Sequence, residues 1–294
     1  MNSLDDFQAI VRPAELLAPY TWFRIGGPAQ FLAKPRSTEE LQGLLQRCHR
    51  EGLPVRILSG GSNILVSDAG VSGVVIHLES PAFADVSLSG TTITVGAAVP
   101  LTALISQSAR AGLAGIEVLT GIPGTVGGAI RGNAGGRQGA IGEHVRRVTV
   151  IDDEGQIQVR ERDELSFAHR WSNLDEPVIL SAEIELRQED PEAVVRRMRK
   201  VWILKKENQP YGHQSSGCIF KNPTSDLSAA TLLDQSGLRG ARVGGAEVSD
   251  RHANYIVADR GTSSDDVLRL IELIRDKIRG QYGYELELAI QIWS

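Results

Sequence analysis

Apolar and polar positions follow two rhythms along the chain, and together they predict a mixed α+β protein. Leu41, Leu44, Leu45 and Cys48 recur at helical spacing behind Ser37-Thr38-Glu39-Glu40, which reads as a capping box, so Cys48 is placed in a core. Apolar runs at Val55–Leu58 and Val74–Leu78 read as buried strands around a Gly60-Gly61-Ser62-Asn63 turn, completing a βαβ-like unit over residues 15–80. Further strands are predicted at Val86–Leu88, Thr92–Val95, Val145–Ile151, Ile157–Val159 and Val178–Leu186. The last sets Ile184 and Leu186 against Glu183 and Glu185, as a strand with one wet face requires. Pro100 opens a helix running to Ala111, and Asp190-Pro191 starts one carrying Val194, Val195, Met198 and Trp202. Later helices are predicted at 228–236 and 264–280, with strands at Tyr255–Val257 and Leu286–Trp293. The apolar stripes of these last elements read as core. Three α+β units result, over 1–80, 81–204 and 205–294.

Charge narrows the function classes. The 294 residues carry 31 basic and 36 acidic side chains, a net charge of −5. That argues against a broad nucleic-acid or anionic-membrane surface and leaves room for a local basic pocket. Cys48 and Cys218 cannot form a C-x-x-C pair, and the six histidines lack ligand spacing, so no metal site is expected. No apolar run approaches the roughly 20 residues of a membrane span. The acidic start Met1-Asn2-Ser3-Leu4-Asp5-Asp6 lacks the basic and apolar regions of a signal peptide, so a cytoplasmic enzyme is expected.

Glycine points to a ligand. Backbone N–H groups can cradle a phosphate only where side chains leave access, and dense glycine lies at 60–63 and in Gly121-Ile122-Pro123-Gly124-Thr125-Val126-Gly127-Gly128. Neither loop has the Lys-Ser/Thr ending of a Walker loop or forms a strand-linked G-x-G-x-x-G. Each alone could be a tight turn; together they favour one large ligand with a pyrophosphate held between them. In Ser215-Ser216-Gly217-Cys218-Ile219-Phe220-Lys221-Asn222-Pro223 a thiol sits beside glycine and near a cation. With an ordinary pKa of about 8.5 such a thiol donates a proton readily. Composition alone favours a buried structural cysteine, and nothing in the sequence fixes the geometry of a Cys-His nucleophile with His213 or His252. Arg170, read alone, is a surface arginine.

These segments resemble the UDP-N-acetylenolpyruvoylglucosamine reductases, flavoenzymes that make UDP-N-acetylmuramate for peptidoglycan. The marks are Thr21-Trp22-Phe23-Arg24-Ile25-Gly26-Gly27, the 60–63 loop through Leu65, Gly121–Ala129 with Asn133-Ala134-Gly135, and Phe220-Lys221-Asn222-Pro223. Leu238-Arg239-Gly240, Gly244-Gly245-Ala246 and His252-Ala253-Asn254-Tyr255-Ile256-Val257 follow in order. The resemblance implies a vanillyl-alcohol-oxidase-like (PCMH-type), two-part FAD-binding domain followed by a C-terminal α+β substrate-binding domain. It implies FAD as cofactor, held by Arg24, Gly60, Gly61, Ser62, Asn63, Gly121, Ile122, Pro123, Gly124, Thr125, Gly127, Gly128 and Asn133. NADPH would reduce the flavin, which would pass hydride to C3 of the enolpyruvyl group. Arg170 would stabilise the enolate and Cys218, where most members carry serine, would protonate C2. Lys206, Lys221 and Asn222 would hold the substrate. The chain resembles the shorter subgroup, which lacks a tyrosine-bearing loop between Arg170 and Lys206.

Two positions depart from the family. Ala289 stands where a catalytic glutamate is usual, and His169 where a tyrosine usually precedes the arginine. Strand alternation would put Glu287 on the face of Ala289 about 7 Å away, so Glu287 is the expected substitute. A monomer without nucleic-acid or membrane partners is expected. The alternatives are another FAD oxidoreductase of the same fold, without a flavin tether since Ser62-Asn63 follow Gly60-Gly61, and a flavin-binding paralogue of low activity.

Overall fold

Each helix that the periodicity predicts has a counterpart in the computed structural model, which describes residues 4–136, 138–224 and 226–294. Helix α1 spans Thr38–Glu51, α2 Leu101–Arg110, α3 Val126–Arg131, α4 Pro191–Asn208, α5 Ala229–Gln235 and α6 Ser264–Tyr282. Ser37 Oγ accepts the Glu40 N–H at 3.3 Å to start α1, and Gly52 ends it in a left-handed conformation. The second arm of the expected capping box differs. The Glu40 carboxylate takes the Arg36 N–H at 2.7 Å and pairs with that residue's guanidinium, so it reaches past the Ser37 N–H. Leu41, Leu44, Leu45 and Cys48 are buried, and burial pushes the Cys48 thiol up to about 11.

Two compact units result: Met1–Ala14, Gln30–Gly60 and Gly73–Leu204 form one, and Glu15–Ala29, Gly61–Ser72 and Lys205–Ser294 the other. The chain thus enters the second unit three times, whereas the sequence reading cuts it only near 80 and 204. Pairing distant in sequence is the physical reason. Within the second unit Ile64–Val66 lies parallel to Gln291–Trp293, a bond that local periodicity cannot reveal.

Beside short two-stranded pairings, the first unit carries most of two larger sheets. One orders its strands Val11–Leu16, Pro28–Ala33, Val71–His77, Val55–Leu58, the last two parallel, and packs Phe31, Val74 and Ile76 with the buried face of α1. The first two strands escaped the sequence reading because prolines at 13 and 28 interrupt their alternation. The other sheet is antiparallel, ordered Ile157–Glu161, Val145–Ile151, Val178–Glu185, Thr92–Gly96, Val86–Ser89. Its core gathers Val95, Leu104, Val126, Ile130, Val148 and Ile184. On α4, Val194 is buried and Met198 packs beside it, but Trp202 is 41% exposed, so the expected stripe stops a turn early.

In the second unit an antiparallel sheet of Arg242–Val243, Ala246–Val248 and Ile256–Ala258 shares a core with α5 and α6. Ser263 and Asp266 form a reciprocal box at the start of α6, with bonds of 3.1 and 3.2 Å. The expected strand Leu286–Trp293 is shorter: only Gln291–Trp293 joins a ladder, and Leu288 makes a single bridge to Phe220.

Candidate functional site

The two glycine loops meet inside the first unit. A Cβ on Gly60 would lie 2.7 Å from Gly124 Cα, and one on Gly128 2.9 Å from Ser59 Oγ. Gly127 is equally confined, its Cβ position 2.7 Å from that of Ala97. Gly121 and Gly124 have φ of 83° and 105°, which side chains resist. Beside this seam opens a cleft lined by Ile57, Ser59, Thr125, Gly128, Arg131 and Ile179 among others. The Ile122, Val126 and Gly127 N–H groups bond to Leu119, Val99 and Ala97 carbonyls, and Pro123 has none to give. Ile122, Pro123 and Gly127 can therefore shape a ligand site as walls, not through N–H donors. Thr125 Oγ1, by contrast, is buried without a partner among the described residues. A buried hydroxyl left unpaired is unfavourable by about 1–3 kcal/mol, so a ligand oxygen or nitrogen here would satisfy it. Apolar walls, glycine access and an unmet hydroxyl fit a dinucleotide such as FAD.

Arg170 belongs to the same unit. It is the second residue of a two-residue turn between Phe167–Ala168 and Trp171–Ser172, half-buried, with φ of 58°. It makes no hydrogen bond or ion pair with a described residue. Among the described residues four other than glycine have positive φ: Ala14, Arg24, Asn133 and Arg170. Three of these are residues to which the resemblance assigns a role, and such strain persists where surrounding structure imposes it. The Asn133 side chain is engaged within its own unit. Its Nδ2 donates to Ala168 O at 2.8 Å and its Oδ1 accepts the Gly142 N–H at 3.0 Å, so the amide braces the Arg170 hairpin and keeps at most one N–H for a cofactor. Ser172 Oγ donates to Arg131 O at 2.8 Å on the other hairpin strand.

The second unit supplies its own cluster. Gly61 (φ 60°) lies so close to Tyr20 O that a Cβ would collide with it, and its carbonyl accepts the Trp22 N–H at 3.0 Å. Ser62 is half-buried beside it. Asn63 Nδ2 donates to Ala289 O at 3.0 Å, and Asn63 O accepts the Gln291 N–H at 2.9 Å. Arg24 is exposed with its guanidinium on Pro19 O, an arrangement within its own turn. Cys218 is half-buried after Gly217 (φ 80°) and bridges to Tyr255. Asn254 clamps the next residue but one, accepting the Phe220 N–H at 3.0 Å and donating to its carbonyl at 2.8 Å. Across from this segment the Ala289 N–H donates to Ile219 O and the Lys221 N–H to Glu287 O, each at 2.8 Å.

Asn63, Cys218, Lys221, Glu287 and Ala289 are thereby brought together. Glu287 is not a free carboxylate, however: it pairs with Lys221 Nζ at 3.2 Å, in solvent. The expected substitute for the missing glutamate is thus already matched to a cation. Asn222 Oδ1 accepts the Ala229 N–H at 3.2 Å and so anchors the start of α5, leaving its N–H groups available. Lys206 is exposed in the last turn of α4 and unpaired among the described residues. The sequence reading missed Arg131 and Asn254. Asn254 lay within a quoted motif; for Arg131 no sequence signal existed. Among the described residues no cluster is placed to hold a metal ion, and no helix is long and apolar enough to cross a membrane.

Known proteins match this arrangement along most of the chain. A family model described as an FAD binding domain matches residues 29–160, and one described as the UDP-N-acetylenolpyruvoylglucosamine reductase C-terminal domain matches 209–293. UDP-N-acetylenolpyruvoylglucosamine reductase of Heliobacterium modesticaldum is 39% identical over 98% of this chain and 92% of its own length. The reductase of Syntrophobacter fumaroxidans is 39% identical over 95% and 83%. The crystal structure of the Thermus caldophilus enzyme superposes with a TM-score of 0.82 at 38% identity, covering 95% of this chain and 97% of that one. The chain therefore belongs to the UDP-N-acetylenolpyruvoylglucosamine reductase family.

Proposed function

We infer that the chain is an FAD-dependent oxidoreductase that reduces the enolpyruvyl group of UDP-N-acetylglucosamine enolpyruvate to UDP-N-acetylmuramate for peptidoglycan synthesis, with NADPH as hydride donor. The observation that carries the reading, beside family membership, is Arg170: a half-buried guanidinium in a strained turn, unpaired among the described residues. A planar fork of N–H donors suits a substrate carboxylate. When bound, FAD supplies the hydride carrier between NADPH and C3 of the enolpyruvyl group. The glycine seam at Gly60 and Gly121–Gly128 would hold it, with Thr125 Oγ1 as a partner.

The remaining roles belong to the chain's own groups. Arg170 stabilises the negative charge that spreads from C2 into the substrate carboxylate. Cys218 transfers its Sγ proton to C2, and the thiolate left behind regains a proton from water. Lys206, Lys221 and Asn222 bind the substrate diphosphate, and Glu287 orients Lys221. In this reading 1–80 and 81–204 are the two halves of the FAD-binding part, 205–294 is the substrate-binding part, and the protein works as a cytoplasmic monomer.

Incubating the protein with NADPH and UDP-N-acetylglucosamine enolpyruvate should give a product heavier by two hydrogens, detected by mass spectrometry. No such product from folded, flavin-loaded protein would reject the reading. Ala289 favours one second reading, a flavin-binding relative of low activity, and that protein would keep FAD without forming product.

A further inference from the structure

We propose that Asn133 is a positioning residue for Arg170, coupling the helix beside the cofactor cleft to the hairpin that presents the guanidinium. The proposal deepens the function inferred above and rests on it. Helix α3 begins in the glycine loop that lines the cleft, and it ends in a Schellman motif: the Ala134 N–H bonds Ala129 O at 2.7 Å and the Asn133 N–H bonds Ile130 O at 3.1 Å. Asn133 occupies the left-handed position of that motif, with φ of 41°. Glycine would serve the backbone there as well or better, so the backbone alone does not call for asparagine.

The side chain explains the choice. Its amide joins Ala168 O, the last residue before the His169-Arg170 turn, to the Gly142 N–H, with bonds of 2.8 and 3.0 Å. Gly142 in turn is packed so tightly against Phe167, on the same hairpin strand, that a Cβ would collide with the ring. The opposite strand is tied to the same helix end, through Ser172 Oγ to Arg131 O at 2.8 Å. Arg131 is among the residues that line the cleft, and its guanidinium donates to the carbonyls of Leu174, Glu176 and Pro177, just beyond the hairpin. Both strands of the hairpin, and the chain leaving it, are therefore referenced to the C-terminal end of α3. Arg170 needs this external reference because its own side chain bonds to no described residue and its turn is strained.

Asn133→Gly is the informative variant, since it preserves the helix cap and removes only the two amide bonds. In the holoenzyme it should slow reoxidation of NADPH-reduced flavin by the enolpyruvyl substrate roughly 10- to 100-fold, a size typical of a misplaced catalytic group, and slow reduction by NADPH far less. In an Arg170→Ala background the same substitution should add little, because the group it positions is already gone. Equal slowing in both backgrounds, equal slowing of both half-reactions, or no slowing would overturn the proposal. Hydrogen exchange of the 164–174 segment provides a readout independent of activity. Asn133→Gly should accelerate exchange there and not in α1, and unchanged exchange would also overturn the proposal. If wild-type flavin is not reoxidised by the substrate at all, the functional reading fails, and the exchange result alone decides whether Asn133 holds the hairpin.

Discussion

Thr125 carries a hydroxyl that folding buries and that no described residue pairs. Thr125→Val keeps the shape and removes the unmet group, so the apoprotein should be as stable or about 1–2 kcal/mol more stable, while FAD retention falls. Denaturant titration of the apoprotein and the flavin-to-protein absorbance ratio after dialysis check the two halves; unchanged flavin retention would remove Thr125 from the cofactor site. The two thiols make a contrasting pair. Cys48 is buried and its pKa is pushed up to about 11, so at pH 8 a thiol reagent should label Cys218 alone until the protein is denatured. Because folding raises the Cys48 pKa from 9.0, the stability linked to it is present below 9.0 and is lost as pH rises through about 11. Helical spacing made Cys48 legible as core. The role of Asn133 was not legible, since Ala168 and Gly142 become its neighbours only on folding. The pairing of Glu287 with Lys221 was hidden for the same reason.

Elements carry the next layer of the argument. Gly60 belongs to the loop after Val55–Leu58 and Gly124 to the loop before α3, and they touch without space for a methyl group. Gly60→Ala should force the loops apart, lowering flavin content and the thermal unfolding midpoint together; a variant with full flavin content would show that the seam is not needed. Periodicity reported well on Val145–Ile151, whose limits it matched, and on α1, whose start and buried positions it placed. It failed where neighbours change along an element. Leu286 to Trp293 alternates in sequence, yet its first half meets the Phe220 segment through one bridge and only its last residues pair with Ile64–Val66. On α4 the apolar run outlasts the surface that buries it, leaving Trp202, Ile203 and Leu204 exposed. Glycine clustering led the sequence reading to a pyrophosphate held between the loops; in the structure Gly60 and Gly124 meet directly, and close approach is what removes side chains there.

At the scale of the whole molecule, acid sensitivity follows from histidines in both units. Burial holds His77 and His144 in the first unit, and His252 in the second, below the ordinary 6.5. Folding thus disfavours their protonation, so the linked stability is present above pH 6.5 and is lost as pH falls through the lowered values. Urea midpoints should drop between pH 7.5 and pH 5.5, and His144→Gln should flatten that slope; a midpoint that holds or rises would contradict the account. The division into two units was only partly legible, because residues 15–29 and 61–72 join the second unit through contacts far along the chain. The order of the motifs, by contrast, was sufficient to identify the family, since it extends across both units. The central claim is most directly tested by an anaerobic titration of the purified protein with NADPH and then UDP-N-acetylglucosamine enolpyruvate, following flavin absorbance. The account predicts bleaching on the first addition and rapid recovery on the second, with recovery selectively slowed in Arg170→Ala and Cys218→Ala. Bleaching without recovery in the folded wild-type protein would contradict it.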